Sequence, residues 1–457
     1  MLDTLLTALE LAIISGKETP EAVAAGVHMR SVIQETQTTL RNPSELLFNA
    51  QRSNELFVTL ESRAGQVLGG LSNLKGRAET SDAALQEALD LGIEVAALLQ
   101  SLSTAMAAFT EATDDFLKAG ILSEEGAAAM KSSLPRVKTA LSDAQLALDQ
   151  VLARRSGGAE TASSSSLTGR FFTSVLLNIE ESSLQTTLLP RAAQGVDSLQ
   201  YLLGLDAPRT YLLIGQNPDE IRPTGGFLGV VVEVHVQDGR LTSLRYFDSD
   251  TVDQADFASN PIAPEPIFRY LWITRLLFRD ANWNPHFPSS AAQIADLYYK
   301  GQGVQADGVI AATEDMVLHL VDALGGVEVP EIVGVLDGAT AGKYVDGVFS
   351  YPCLPRHTVL RSKRCFDEDL FQAVLGRMMQ PLPEERSRAI LDVFLQGLAH
   401  KDMLVHVFDA KAAEILWEQQ WNGALRQVDH DYLMVVDISL PGTPVPSSTG
   451  VSSTRSS

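Results

Sequence analysis

The sequence predicts a chain in two parts, a helical N-terminal region followed by a layered α/β domain, and three observations predict it. Between Ser81 and Met106 the apolar residues Leu85, Leu89, Ile93, Ala96, Ala97, Leu98 and Leu102 return at helical spacing. In the second half the apolar runs shorten to strand length, and Asp238-Gly239 stands between two of them, a strong hairpin signal. Farther on, the strand-like stretch 307–312 gives way at Thr313 to a helix-period stretch, the alternation of layered α/β proteins.

Taken in order, residues 1–155 are rich in Ala, Leu, Glu, Gln and Ser and read as helix throughout, a bundle or a long hairpin. The segment Leu5 to Ile14 reads as an amphipathic first helix; it lacks the basic flank and cleavage site of a signal peptide. Asn42-Pro43-Ser44 is a break from which a helix restarts, and Gly69-Gly70 and Gly120 mark further ends. This region shows no cluster able to do chemistry and reads as a spacer or a surface for a protein partner. Residues 156–169, small and polar with a run of four serines, read as a flexible linker, and 170–205 as a helical connector.

The α/β domain spans 206–440. Its strands are expected at Thr210 to Gly215, Gly229 to Val236, Leu241 to Phe247, Asp307 to Ala312 and Val327 to Val329. Ser289-Ser290 is expected to cap a helix through Tyr298. Thr313 caps the next, with Glu314 and Asp315 favourably placed against its dipole and Gly325-Gly326 stopping it. A helix through Leu398 begins near Arg386. Asp431 to Leu440 reads as a strand, and 441–457 as a disordered tail at a truncated end.

Apolar residues make up 45% and charged residues 20% of the chain, the balance of a folded protein rather than a disordered one. The formal charge of -22 opposes phosphate backbones, so no nucleic-acid partner is expected. No stretch reaches the roughly 18–20 apolar residues of a membrane span. Walker, dinucleotide, His-Glu-x-x-His and Gly-x-Ser-x-Gly motifs are absent from the sequence. Cys353 and Cys365 share one stretch, YPCLPRHTVLRSKRC; they read as two thiols in a loop or as a local disulfide, with a zinc site least supported.

Three stretches, YLLIGQNPDEIRPTGGFLG (211–229), FRDANWNPHFP (278–288) and DGVIA (307–311), resemble the bacterial domain-of-unknown-function family 4012. The resemblance implies a domain carried outside the cytoplasm behind a membrane anchor and a helical spacer. A remoter similarity joins the hairpin, Asp248-Ser-Asp-Thr251 and VDALGGVEV (321–329) to the LytR-CpsA-Psr family. Those enzymes move glycopolymers from polyprenyl pyrophosphate carriers to the cell wall, using Arg and Asp side chains. The implied fold is a LytR-CpsA-Psr-like layered α/β domain, and the implied partner an envelope glycopolymer or polyprenyl phosphate. Asp250 and Thr251 match that family's strand-end motif, but Ser249 replaces its arginine, and none stands at Tyr344-Val345-Asp346 where its paired arginines would fall. Arg386 and Arg388 lie near its later arginine motif. The extracytoplasmic setting implies a Cys353–Cys365 disulfide closing a surface loop.

The candidate site collects around the strand end. Asp248 and Asp250, with Asp253 nearby, read as catalytic or magnesium-binding carboxylates, or as turn and cap residues. Arg222 with Gly225 and Gly226 reads as an anion-accepting backbone nest or as a glycine turn. Arg279, Asp280, Asn282 and Trp283 share one loop, where Trp283 stacks on a sugar or plugs the core. Arg279-Asp280 serves a ligand or forms a structural ion pair, and His286 stands beside them. Arg356, Arg361, Lys363 and Arg364 form a basic cluster, a solvated loop or a phosphate contact. Two functions stay open: a divergent phosphotransferase, or a non-catalytic binding module on a helical stalk.

Overall fold

A computed structural model describes residues 83–156 and 189–438, apart from 122, 255–256, 358–361, 428 and 430–432, together with parts of 55–75. The amphipathic first helix, the restart at Pro43, the serine linker beyond Ser156, Arg361 and the tail 441–457 lie outside the described residues. The chain divides into two compact units, Met1–Phe116 with Ala128–Asp197, and Leu117–Ala127 with Ser198–Ser457.

The first unit is helical wherever it is described. Helix α1, Ala83–Ala119, ends where Gly120 turns left-handed at φ 102°. Helix α2, Glu124–Ser156, begins on Ser123, whose hydroxyl accepts the Gly126 N–H at 3.0 Å. Alanines at Ala96, Ala105, Ala112, Ala140 and Ala144 are buried, and an ion pair joins Glu111 to Arg136. Among the described residues no helix is long and apolar enough to cross a membrane.

The second unit takes in the end of α3 (Leu189–Leu202), from Ser198 onward, and is built on one sheet of five strands. They are β1 (Arg209–Asn217), β2 (Phe227–Gln237), β3 (Arg240–Asp248), β4 (Gly308–Thr313) and β7 (Met403–Val407), in spatial order β3-β2-β1-β4-β7. β1 and β4 are parallel; β2 is antiparallel to β1, and β3 to β2. β1, β3 and β4 therefore run in one direction and end on the same edge, at Asn217, Asp248 and Thr313. The β2–β3 turn is made by Asp238 (φ 54°) and Gly239 (φ 78°), two positive φ angles in succession, as a type I′ hairpin requires.

Side chains alternate across the sheet, so it carries two apolar faces. One packs Leu212, Ile214, Val231 and Val309 against α4 (Glu265–Leu271) and α5 (Phe287–Gln302), with Phe278, Phe287, Ile294 and Tyr298 fully buried. The other packs Tyr211, Val232, Val234, Tyr246 and Val405 against α6 (Glu314–Leu324), α7 (Gly338–Val345), α8 (Ser362–Met378), α9 (Glu384–His400) and α10 (Ala410–Glu418). A small ribbon, β5 (Val327–Glu328) with β6 (Val335–Leu336), follows α6. The class is thus mixed α/β with a helical N-terminal region.

Thr313 caps α6 through the Met316 N–H, and Gly325 (φ 82°) ends it. Helix α5 departs from expectation: it starts at Phe287 with Pro288 in its first turn, one of the few positions where proline's missing N–H costs nothing. Ser290 instead donates to the Asn284 carbonyl at 2.7 Å. The strand expected at 431–440 does not form among the described residues: 433–438 is irregular, and Leu433 is 88% exposed. Extended chain without a neighbouring edge has nothing to bond its backbone to.

Candidate functional site

The carboxyl ends of parallel strands are where α/β sheets place ligands, because backbone and loop side chains converge there without an overlying helix. Here that edge carries a chain of alternating charges. Asp250 accepts from Arg279 at 2.7 Å, Arg279 lies 3.8 Å from Asp280, and Asp280 lies 3.4 Å from Arg222. Asp280 and Arg222 are both buried, and the Arg222 guanidinium also sits over the Phe227 ring. Burial pushes the pKa of Asp280 up, against the lowering exerted by Arg222 and Arg279. Asp253 is likewise raised by burial, while its carboxylate accepts the Phe278 N–H and the Asn260 amide. The structure therefore brings together Asp248, Asp250, Asp253, Arg222, Arg279 and Asp280.

The loop behind them holds its shape through backbone contact. Gly225 and Gly226 have φ of 125° and 141°, both positive, whereas an anion nest needs residues of alternating hand. A Cβ on Gly226 would overlap the Asn217 carbonyl, so this is a glycine turn required by close approach, not a nest. Asn282 is fully buried and donates to Thr224 Oγ1 at 2.9 Å and the Gly226 carbonyl at 2.8 Å, which fixes the turn instead of reaching for sugar hydroxyls. Trp283 packs, partly buried, against the apolar cluster beneath. Nδ1 of His286 accepts the Leu425 N–H at 3.0 Å, so it serves as a structural residue.

Two further expectations are corrected. Arg386 lies at the C-terminus of α6, beside Gly325, with its guanidinium on the carbonyls of Asp322 and Ala323 at 3.5 and 3.4 Å. A cation there complements the helix dipole, at the end of α6 remote from the strand edge; Arg388 pairs with Glu384. The magnesium reading does not fit either. One Asp248 oxygen accepts the Asp250 N–H, its other lies 3.9 Å from Arg364, and Asp250 is held by Arg279. Among the described residues no group of three His, Cys, Asp or Glu side chains can hold a metal ion.

Arg364, expected only as part of a basic cluster read as a solvated loop or a phosphate contact, stands at this edge, 3.9 Å from Asp248. It opens helix α8, and its guanidinium lies above Gly229 of β2, where any Cβ would overlap it. Asp367 flanks it at 3.5 Å. The rest of the basic cluster is elsewhere: Arg356 pairs with Glu331 and Asp369, and the Lys363 side chain lies outside the described residues. A disulfide joins Cys353 to Cys365, next to Arg364, with the Cα atoms 5.4 Å apart. Cys365 is fully buried on α8, whereas Cys353 is exposed in the loop before it. Asp369 on α8 accepts from Tyr351 (2.5 Å), His357 (2.8 Å) and Arg356 (2.7 Å), which ties the segment down a second time. Burial raises the Asp369 pKa, but these three donors outweigh it and the net shift is downward.

Beside Arg364 a cavity of about 310 Å³ opens between the sheet and helices α6, α8 and α9. Leu213, Val230 and Ile310 line it from the sheet, and Val317, Leu370, Phe371 and Val374 from the helices. Its polar lining comes from Thr313, Glu314, Arg364 and Asp367, all near the strand ends. A space of this size lies within the range of small-ligand pockets and is far larger than a packing defect.

This arrangement, a charged strand edge with a YLLIGQNPDEIRPTGGFLG loop, falls in a stretch that known families recognise. Residues 206–347 match the family described as "Protein of unknown function (DUF4012)", so the chain carries a DUF4012 segment. The match stops short of Arg364, α8 and α9. Similar solved structures include the transcriptional regulator yvhJ from Bacillus subtilis (12% identity, 47% of this chain, 75% of that one, TM-score 0.27). They also include B. subtilis TagV (9% identity, 51% and 89%, TM-score 0.27) and the transcriptional regulator EF0465 from Enterococcus faecalis (11%, 48% and 74%, TM-score 0.27). At these scores the likenesses carry no activity across. No protein of curated function matches the chain.

Proposed function

We propose that the α/β unit binds an amphiphile with a long apolar chain and an anionic head, of the polyprenyl-phosphate type, as an envelope protein outside the cytoplasm. The observation that carries this reading is the apolar cavity with Arg364 at its polar end. An isoprenoid tail gains by leaving water for such a space, and a phosphate finds in Arg364 a two-pronged donor whose flanking carboxylates are 3.5 and 3.9 Å away. Asp250, Arg279, Asp280 and Arg222 are paired with one another, with one buried Asp280 oxygen accepting no hydrogen bond, and this pairing favours binding over catalysis. The Cys353–Cys365 bond supports an oxidising compartment.

Titration of the full chain with farnesyl phosphate, a soluble short-chain probe, tests the reading, with farnesol as the uncharged control. Farnesyl phosphate is expected to bind more tightly than farnesol. Arg364→Ala removes a charge-assisted contact of about 1.5–3 kcal/mol, roughly a ten- to hundredfold loss. Equal affinity of the wild type and R364A for the phosphate would sink the assignment. A phosphotransferase reading draws on one observation, that Arg364 stands beside Asp248 as the arginine missing at Ser249. Release of inorganic phosphate from geranylgeranyl pyrophosphate, lost in Asp248→Asn, is its test.

A further inference from the structure

Connections between helices usually run over a protein's surface. The one between α1 and α2 is seated inside the second unit, to which its residues Leu117–Ala127 belong. Toward the helices, the Ile121 N–H donates to the Met378 carbonyl at 2.9 Å, and the Leu117 carbonyl accepts from the Ser387 hydroxyl at 3.2 Å. Gly120, at φ 102°, permits this approach, since a Cβ there would stand 2.6 Å from the Met379 carbonyl oxygen. Toward the sheet, Glu124 pairs with Arg240 at 3.0 Å, and a Cβ on Gly239 would stand 2.9 Å from that of Ala127. The turn thus spans from the end of α8 to the start of β3.

Those two landmarks also mark one end of the apolar cavity. Arg364 sits in the first turn of α8, and Met378 is its last residue. Fourteen residues separate them, roughly 21 Å at the helical rise. Both line the cavity, which therefore runs along the helix. The sheet gives the same direction. Arg364 lies 3.9 Å from Asp248 at the end of β3, whereas the turn meets Arg240 and the glycine before it at the strand's start. Beside Met378 the cavity is lined by Ile121, the residue it draws from this turn among the described ones. The polar end and Ile121 are therefore the two ends of one trough.

We propose that Ile121 is the stop of this trough and sets the length of the apolar chain it accepts. The proposal rests on the prenyl-phosphate reading above and adds a ruler to it. With the phosphate held at Arg364, each further prenyl unit advances along α8 and gains by leaving water, until it reaches Ile121. An isoleucine makes a firm stop, because its β-branch leaves χ1 little freedom. Its backbone is firm as well, bonded to Met378 and closed in by Met379. A chain longer than the trough has to fold back or leave its end in water.

Affinities of the full chain for geranyl, farnesyl and geranylgeranyl phosphate test the proposal, read as the ratio of the longest probe to the shortest. Ile121→Trp extends the stop toward Arg364. It is expected to lower the ratio at least about tenfold while geranyl phosphate binds as it does to the wild type. Ile121→Ala draws the stop back and guards against a tryptophan variant that does not fold; its ratio should rise about fivefold. Arg364→Ala, at the other end, should weaken all three probes by one common factor and leave the ratio alone. A wild type that binds none of the three overturns the cavity reading and this proposal with it. A wild type that binds through Arg364, with both Ile121 variants keeping its ratio, overturns this proposal alone. So does an equal loss at all three lengths, which makes Ile121 a packing residue and nothing more.

Discussion

One sheet presents two faces, and they are finished differently. Against α4 and α5 the face is packed solid: Phe278, Phe287 and Tyr298 are fully buried, and Ala291 at 0% exposure lets α5 settle close to the strands. Against α6, α8 and α9 the same strands leave a cavity of about 310 Å³. Both faces bury large apolar side chains, so hydrophobic burial alone does not explain the difference. What differs is shape. The first face receives large rings with small residues between them. The second sets Leu213, Val230 and Ile310 across an open space from Val317, Leu370, Phe371 and Val374 of the helices. A face that only had to be stable would close up, since a void forfeits contact on every side. The open face is the one reserved for a visitor.

The largest effect that tests the contrast is on the packed face. Phe287→Ala should cost about 3–5 kcal/mol in urea unfolding, whereas Phe371→Ala, which only enlarges an existing space, should cost under about half of that. Equal losses would erase the distinction between the faces. Adding volume sharpens the same comparison at smaller scale. Val231→Phe overpacks a filled core and should cost about 1–3 kcal/mol. Val374→Phe fills the cavity; its stability should stay within about 1 kcal/mol of wild type while farnesyl phosphate binding is lost.

The smallest test is one of pH. Glu233, on the packed face, is 1% exposed and bonded to Tyr298, His235 and Arg245 at 2.7, 2.9 and 3.2 Å. Burial alone would raise its pKa, but the hydrogen bonds from His235 and Tyr298 and the Arg245 charge bring it below the ordinary 4.5. A carboxylate lowered in the fold contributes stability that is present above its unfolded pKa and lost as pH falls through the folded one. Glu233→Gln should therefore lower stability at neutral pH and flatten the acid limb below about pH 4.5, read from unfolding midpoints at stepped pH. An unchanged acid limb would remove Glu233 from the account.

Much of this was legible in the sequence where local chemistry decides the outcome. β1 to β4 follow from alternation and turn residues, and Asp238-Gly239 and Thr313 do what their side chains and φ preferences dictate. β7 was not foreseen, because five residues at a sheet edge, one of them His406, give too short a pattern. Helix α8 was hidden by its basic opening Ser362-Lys363-Arg364, which reads as solvated surface. At the site, Asp248, Asp250, Arg222, Arg279 and Asp280 were visible as a polar concentration. Their mutual pairing was not, since which carboxylate meets which arginine is a tertiary fact. Arg364 was visible in a basic cluster, but its place at the edge was not, for the same reason: it stands far along the chain and reaches the edge only because α8 packs across β2. Arg386 misled because a guanidinium that caps a helix looks, in sequence, like one that binds a ligand.

Gly229 draws a genetic consequence from that packing. The glycine leaves a notch in β2, and the Arg364 guanidinium fills it. One added methyl group would evict the tip of a flexible side chain, a displacement the strand itself tolerates, since alanine suits extended backbone at this position. A single conservative codon change, Gly229→Ala, is thus expected to yield a well-folded protein, unchanged in amount and melting behaviour, that fails to hold farnesyl phosphate. A loss-of-function screen would recover such an allele at a position with no charge, no polar atom and no side chain to suggest why.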